Sequence, residues 1–240
     1  MATDNTLDSW LSSWPDALAF VIGLAVARWA GWNTGDLVWS LWLSSLVVGY
    51  ATIVWMIGQP AAALALASWR DRALVDSNPR MLVTFWLILA AGVLFFLGFF
   101  TIHFVGFHYG HSQILISFFP INGERGMDAR MSTYVEIVRR YWIFLPSAFL
   151  AHRAAFLRKP LSLSPDMSIS SLGDRKKLGD LFSEPYRNVL RIHLLIFFFF
   201  FAHFARLENF AVYAVVYAVY FFPWRLVHRP ATPIASVSVQ

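Results

Sequence analysis

Residues 81–120 decide the fold class, and they read MLVTFWLILAAGVLFFLGFFTIHFVGFHYGHSQILISFFP. The stretch contains no Asp, Glu, Lys or Arg. A helix needs about 20 apolar residues to cross the hydrocarbon core of a bilayer. At about 1.5 Å per residue this stretch would reach roughly 60 Å, twice that thickness. It therefore predicts either one long broken helix or two membrane spans.

The composition of the whole chain supports a membrane protein. Hydrophobic residues make up 58% of 240 residues and charged residues only 14%, and the mean hydropathy is +0.56. These values lie outside the usual range of water-soluble domains. The chain contains no cysteine, which excludes disulfides and thiolate metal ligands. We expect one integral membrane domain over residues 1–240.

Apolar runs separated by polar turns predict an all-α fold, a polytopic transmembrane helical bundle of about six spans. The spans are expected near residues 16–32, 37–58, 81–120, 133–157, 188–206 and 208–226. A seventh span results if residues 81–120 form a hairpin. Tight turns are expected at residues 33–36 and 206–209.

The basic residues favour six spans. If residues 81–120 cross once, twelve Lys and Arg lie on one side and five on the other; if they cross twice, the split is nine against eight. Cytoplasmic loops carry the excess of basic residues. We therefore expect both termini in the cytoplasm and a long third segment that kinks near Gly98, Gly106 or Gly110.

The longest polar stretch, residues 158–187, includes Pro160, Pro165 and Arg175-Lys176-Lys177. It predicts a cytoplasmic basic loop that rests on anionic lipid headgroups. No phosphate-loop or dinucleotide fingerprint occurs in the chain. The lipid bilayer is therefore the expected partner, and nucleic acid is not.

Three histidines interrupt the apolar run beside a small-xxx-small pattern formed by Gly106 and Gly110, which lets another helix approach closely. At about 100° per residue, His108 and His111 lie some 60° apart, and His103 lies roughly 80° from His111. This arc is too wide for one metal ion to be bound from one helix. A metal site would need ligands from a second helix.

Histidines of other spans lie at compatible depths. His103, His152 and His193 could converge in the inner half of the bilayer. His111 lies about 12 Å higher than His103 at helical rise, where His203 is its natural partner. Imidazole is a frequent ligand of iron, copper and zinc and an axial ligand of haem. The pattern favours a haem, copper or iron site.

The candidate metal ligands are His103, His108, His111, His152, His193 and His203. The candidate cofactor-binding residues are His103, His111, His152, His193 and Arg191. The guanidinium of Arg191 could meet a haem propionate, a phosphate or a lipid headgroup. Alternatively, each buried neutral histidine is satisfied by hydrogen bonds to Ser, Tyr, Gln or backbone groups.

Two other classes of function remain open. The chain could be a non-catalytic accessory subunit that packs in a larger respiratory or photosynthetic membrane complex. A transporter is less favoured, because no paired Gly/Pro-interrupted segments occur in repeated halves. The sequence lacks the G-x-S-x-G elbow of a serine hydrolase. It also lacks a pair of carboxylates within one span, which a glycosidase would need. Whether the protein is an enzyme stays open.

Four patches together resemble a family of uncharacterised bacterial polytopic inner-membrane proteins, a domain of unknown function. The patches are residues 42–49, residues 99–111, Phe149-Leu150-Ala151-His152, and Pro185-Tyr186 followed by Ile192-His193. The resemblance implies a multi-pass protein of the bacterial inner membrane and implies no activity. The chain departs from the family pattern at Ser44, where an acidic residue is expected.

Overall fold

The computed structural model describes residues 4–70, 79–121, 130–157, 194–195, 197–199, 201–202, 204–207 and 209–222. Every regular element within them is a helix, which confirms the all-α class. The elements are α1 (Asp4–Trp29), α2 (Thr34–Arg70), α3 (Pro79–Phe100), a π-helical turn (Thr101–Val105), α4 (Gly106–Phe118), α5 (Met131–Tyr141), a 3₁₀ turn (Trp142–Phe144), α6 (Leu145–Ala151), α7 (Arg153–Leu157) and α8 (Phe210–Phe221). The predicted loop at 158–187 lies outside the described residues.

Two helical stretches in the described part of the chain are long and apolar enough to cross a membrane. They are Thr34–Leu66 and Leu82–Phe118. A shorter apolar helix covers Phe210–Val219. The sequence predicted six spans. The length and composition of the described helices support membrane association, but they do not support six spans.

The stretch that decides the fold class is one broken helix and not a hairpin, because α3, the π-helical turn and α4 follow one another without a gap. The break lies between Gly98 and Gly106. There the Thr101 hydroxyl donates to the Leu97 carbonyl at 2.6 Å, and the Tyr50 hydroxyl lies 2.7 Å from the same Thr101 oxygen. A threonine that bonds back to the preceding turn disturbs the regular backbone ladder.

Helix α2 organises the bundle, since it contacts α3, α4, α5, α6, α7 and α8. Helix α1 packs chiefly on α6 and also on α8. The main core lies between these helices and includes Trp39, Tyr141, Phe199 and Tyr213, which are all less than 2% exposed. Large aromatic side chains thus supply much of the buried area.

The two ends of the bundle differ in their polar contacts. At one end, the Asp36 end, the Thr34 hydroxyl donates to the Leu207 carbonyl at 3.2 Å, which ties together the turns before α2 and α8. At the other end, the Arg153 end, the Arg153 guanidinium pairs with the Asp16 carboxylate of α1. The turn before α2 uses Gly31 at a φ of +65°, a conformation that favours glycine.

The predicted span at 133–157 is not one straight helix. The backbone departs from helical values at Tyr141 (φ −113°, ψ −1°), and the 3₁₀ turn follows, with Pro146 at the start of α6. Proline lacks the N–H that would continue the helical ladder. A second break at His152 separates α6 from α7. The expected helix therefore divides into three.

Candidate functional site

Two buried histidines of α4, His108 and His111, form a histidine layer. His108 lies at its centre and is 2% exposed. Its Nδ1 lies 2.9 Å from the Phe104 carbonyl oxygen, and its Nε2 lies 3.2 Å from the Ser45 hydroxyl of α2. Because a carbonyl oxygen only accepts, Nδ1 carries the proton, and in the neutral ring Nε2 accepts from the serine hydroxyl. Both nitrogens of His108 therefore have protein partners, as the alternative of satisfied core histidines expects.

His111 lies beside His108, with 6.4 Å between the ring centroids. The His111 ring stands edge-on to Phe107 at 4.2 Å and is buried. The neighbouring Ser112 hydroxyl lies 2.7 Å from the Tyr134 hydroxyl of α5, which also accepts from the Gln113 amide at 3.1 Å. The face of α4 that carries His108 and His111 thus forms a polar layer against α2 and α5.

His103 lies in the π-helical turn, on the opposite side of the continuous helix formed by α3, this turn and α4. The residues of the buried face recur at Phe104, His108, His111 and Leu115, whereas the His103 side chain is exposed and stacks on Phe99 with 5.8 Å between centroids. The extra residue in the π-helical turn shifts the register of the helix. His103 and His108 consequently face different surroundings.

His152 lies at the Arg153 end, in the break between α6 and α7, and is half-buried. Its Nδ1 donates to the Ala148 carbonyl at 2.9 Å, which leaves the lone pair of the neutral ring on Nε2. Metal-binding histidines often donate their second nitrogen to a backbone carbonyl in this way. His152 therefore has the tautomer of a metal ligand.

The described residues do not complete a metal site. No group of three or more His, Asp or Glu side chains that could hold an ion occurs among them. The predicted ligands His193 and His203 and the predicted cofactor contact Arg191 lie outside the described residues. Of the predicted ligands that are described, the structure brings His108 and His111 together and presents His103 on the exposed side.

The sequence analysis did not predict an ionic cluster around the buried carboxylate of Asp36. Asp36 is 4% exposed, and its Oδ1 accepts from the Arg140 guanidinium at 2.8 Å and from the Tyr141 hydroxyl at 2.8 Å. Its Oδ2 accepts from the Asn33 backbone N–H at 2.9 Å. The Asn33 side chain accepts in return from the Asp36 backbone N–H at 3.1 Å, which forms a capping box at the start of α2.

The sequence analysis predicted only a tight turn at residues 33–36, and it named none of these contacts. A polar residue followed by an acidic residue three positions later indicates a helix N-terminus. The partners Arg140 and Tyr141 follow Asp36 by more than a hundred residues, so their contact with it depends on how the helices pack.

Two tyrosines of α8, Tyr213 and Tyr217, are core residues. Their rings stack with 5.8 Å between centroids. The Tyr213 hydroxyl has no hydrogen-bond partner among the described residues. Tyr217 in turn packs on Phe20 of α1 at 5.2 Å. These rings join α1 and α8.

Comparisons with known proteins give the family. No curated protein and no solved structure matches the chain. Residues 3–222 match the model of a family of unknown function, which confirms the resemblance to an uncharacterised family. Because the match covers most of the chain, the protein belongs to this family, the family of unknown function DUF6498.

Proposed function

We propose that the chain is a six-span protein of the bacterial inner membrane, with both termini and residues 158–187 in the cytoplasm. The asymmetry of basic residues supports this orientation. In this topology the Asp36 end faces away from the cytoplasm and the Arg153 end faces it. Reporter fusions after Gln240 and within residues 168–172 test the topology, and a signal from the periplasm at either position would overturn it.

Within this topology, the protein is an accessory subunit that packs in a larger membrane complex. The observation that carries the proposal is the exposure of α3 and the start of α4. None of the described side chains from Arg80 to His103 is buried, and Leu94 and Ile102 are 70% and 79% exposed. Apart from the π-helical turn and α4, which continue the same helix, α3 packs on α2. Its remaining surface is available to lipid or to another subunit.

Two features of this surface favour a protein over lipid. His103 is exposed on it, and an imidazole in contact with hydrocarbon is costly. The glycines that follow, Gly106 and Gly110, are also exposed, and an added Cβ at either would meet no atom within 4 Å. Glycines at this spacing allow close approach of a second helix. The small-xxx-small pattern therefore faces outward and is available to a partner.

The test compares two glycine variants. Gly106→Leu adds bulk to the exposed surface of α4, whereas Gly58→Leu adds the same bulk to α2 at another helical glycine with no neighbour within 4 Å. We expect wild type and Gly58→Leu to migrate in gently solubilised membranes as a particle that contains a different protein, and Gly106→Leu to migrate without it. A wild-type particle no heavier than a monomer or homo-oligomer would refute the proposal.

A second candidate function is a haem or transition-metal site. The tautomer of His152, with Nε2 as the lone-pair nitrogen, favours it. The described donors fit such a site only together with His193 or His203, since they form no group of three. Absorbance near the Soret region and metal analysis of the purified protein test it. A folded, colourless and metal-free preparation would exclude it.

His193→Gln separates a ligand from a structural histidine. Glutamine retains hydrogen bonding but is a poor haem ligand. If His193 binds a cofactor, this variant keeps the fold and loses the bound haem or metal. If His193 is only a satisfied core group, the variant is nearly silent, because a hydrogen bond between membrane helices is worth about 0.6 kcal/mol on average.

A further inference from the structure

The continuous helix formed by α3, the π-helical turn and α4 is too long for a bilayer. Its apolar part, Leu82–Phe118, has 37 residues and reaches about 55 Å at helical rise, whereas the hydrocarbon core is about 30 Å thick. Membrane helices tilt by up to about 40°, and at that tilt the apolar part would still extend about 42 Å across the membrane. A straight helix therefore cannot place the whole stretch in hydrocarbon.

The two parts of this helix are held to the bundle differently. The face of α4 that carries His108, His111 and Leu115 is buried, and Leu115 belongs to the main core. By contrast, none of the described side chains of α3 is buried. The second core cluster, around the π-helical turn, is small and consists of Leu46, Tyr50, Ile53, Ile57, Phe100 and Phe104. Packing therefore fixes α4 more firmly than α3.

Two hydroxyl groups hold the π-helical turn against α2. The Thr101 hydroxyl has one proton, which it donates to the Leu97 carbonyl at 2.6 Å. The Tyr50 hydroxyl lies 2.7 Å from the same oxygen, so Tyr50 is the donor in this contact. We call this contact the Tyr50–Thr101 latch. It lies where the helix changes type, and short π-helical turns of this kind are frequent at functional sites.

We propose that Thr101–Val105 is a hinge, held by the Tyr50–Thr101 latch, about which α3 tilts relative to α4 to match the thickness of the bilayer. The bilayer can shift such a hinge because the two orientations place different apolar lengths in hydrocarbon, and a thin bilayer favours the tilted one. The tilt moves the exposed surface of α3. Bilayer thickness would thus regulate how this surface meets a partner, a consequence that rests on the accessory-subunit function proposed above.

The absence of cysteine from the chain allows two spin labels to report the angle of the hinge. Leu87→Cys on α3 and Ile114→Cys on α4 are both at exposed positions and lie about 40 Å apart along a straight helix. Ile114→Cys with Val138→Cys on α5 is the reference pair within the bundle. The full chain is placed in nanodiscs of lipids with short or long acyl chains, and distances are measured by pulsed dipolar electron paramagnetic resonance.

Three substitutions test the latch. Thr101→Val removes its hydroxyl at nearly constant side-chain volume. Thr84→Val is the matched control, because the Thr84 hydroxyl makes the same bond one turn back, to the Arg80 carbonyl at 2.9 Å, at an exposed position of α3. Tyr50→Phe removes the donor but keeps the bond from Thr101 to Leu97, which separates the latch from a change of helix type.

We expect the distance between labels at Leu87 and Ile114 to shorten in lipids with short acyl chains, while the reference distance stays the same. In either lipid, the fraction of the shorter distance should rise about threefold in Thr101→Val and Tyr50→Phe, which corresponds to the average of about 0.6 kcal/mol for a hydrogen bond between membrane helices. Thr84→Val should match the wild type.

Two results would overturn the proposal. A distance across the hinge that does not change with acyl-chain length would exclude adaptation to bilayer thickness. Equal distance distributions in Thr84→Val and Thr101→Val would exclude the latch. Both measurements use the purified chain alone, so they are independent of the migration of Gly106→Leu, in which a failure of the accessory-subunit proposal would appear.

Discussion

Replacing Asp36 with alanine should destabilise the bundle more than the loss of any exposed ion pair. Asp36 is almost fully buried and holds three donors: the Arg140 guanidinium, the Tyr141 hydroxyl and the Asn33 backbone N–H. Each donor loses its acceptor in the variant. The consequence for stability depends on whether water can reach the donor afterwards.

The three losses differ in size. The Tyr141 hydroxyl stays in the core without a partner, which costs about 1–3 kcal/mol. The Asn33 backbone N–H loses its carboxylate acceptor, which is one half of the capping box and costs about 0.5–1 kcal/mol. The Arg140 side chain is 44% exposed and can be hydrated, so its pair contributes less than about 1 kcal/mol. Together, Asp36→Ala should lower the free energy of unfolding by about 2–4 kcal/mol.

Reversible unfolding in sodium dodecyl sulfate, followed by circular dichroism, measures this loss. Asp16→Ala is the matched control, because Asp16 also pairs with an arginine but its own side chain is 36% exposed, and it should cost less than about 1 kcal/mol. A double-mutant cycle with Tyr141→Phe should give a coupling of about 1 kcal/mol. A cost for Asp36→Ala below that of Asp16→Ala, or strict additivity with Tyr141→Phe, would refute the reasoning.

Three further predictions concern the core and use the same unfolding assay. Tyr213→Phe should leave stability unchanged or raise it, because the buried hydroxyl has no partner among the described residues and its desolvation is uncompensated; a clear loss of stability would contradict this. Gly23→Ala should cost about 1–3 kcal/mol, since the new Cβ would overlap the Tyr217 hydroxyl. Adding Tyr217→Phe should recover part of that cost, and a double variant no more stable than Gly23→Ala would disprove the contact. His108→Leu should cost roughly 1 kcal/mol for two lost hydrogen bonds, and Ser45→Ala about half as much; equal costs would argue against the bonding found at both ring nitrogens.

The helix positions were largely predictable from the sequence. Apolar runs predicted helices over 16–32, 37–58 and 208–226, and the structure has α1, α2 and α8 there, although α1 and α2 extend beyond the expected limits. Periodicity cannot locate an end where the chain stays apolar or helix-forming past the bilayer thickness. The turn predicted at residues 33–36 lies about three residues too late, because residues 30–33 connect the helices and Thr34 begins α2. The bonds between Asn33 and Asp36 close the first turn of that helix.

The positions of the histidines relative to the bundle were only partly predictable. Ideal helical geometry assigned His103 to a broad arc with His108 and His111. The π-helical turn at Thr101–Val105 changes that arc, and the turn involves Thr101 and its contact with Tyr50 of another helix. A fixed rotation of about 100° per residue cannot predict a change of helix type that involves a contact with another helix. The predictions for His193 and His203 concern positions outside the described residues.

By itself, the sequence determined what depends on composition and local spacing: the all-α class, the long apolar helix at residues 81–120 and a turn near Asn33. These properties follow from the solvation of side chains and from hydrogen bonds within one turn. Only the tertiary structure decided which side of this helix faces the bundle, that the helix predicted at 133–157 breaks after Tyr141, and that Asp36 meets Arg140 and Tyr141. Those outcomes depend on the packing of residues far apart in the chain, and packing selects among faces that the sequence alone leaves equivalent.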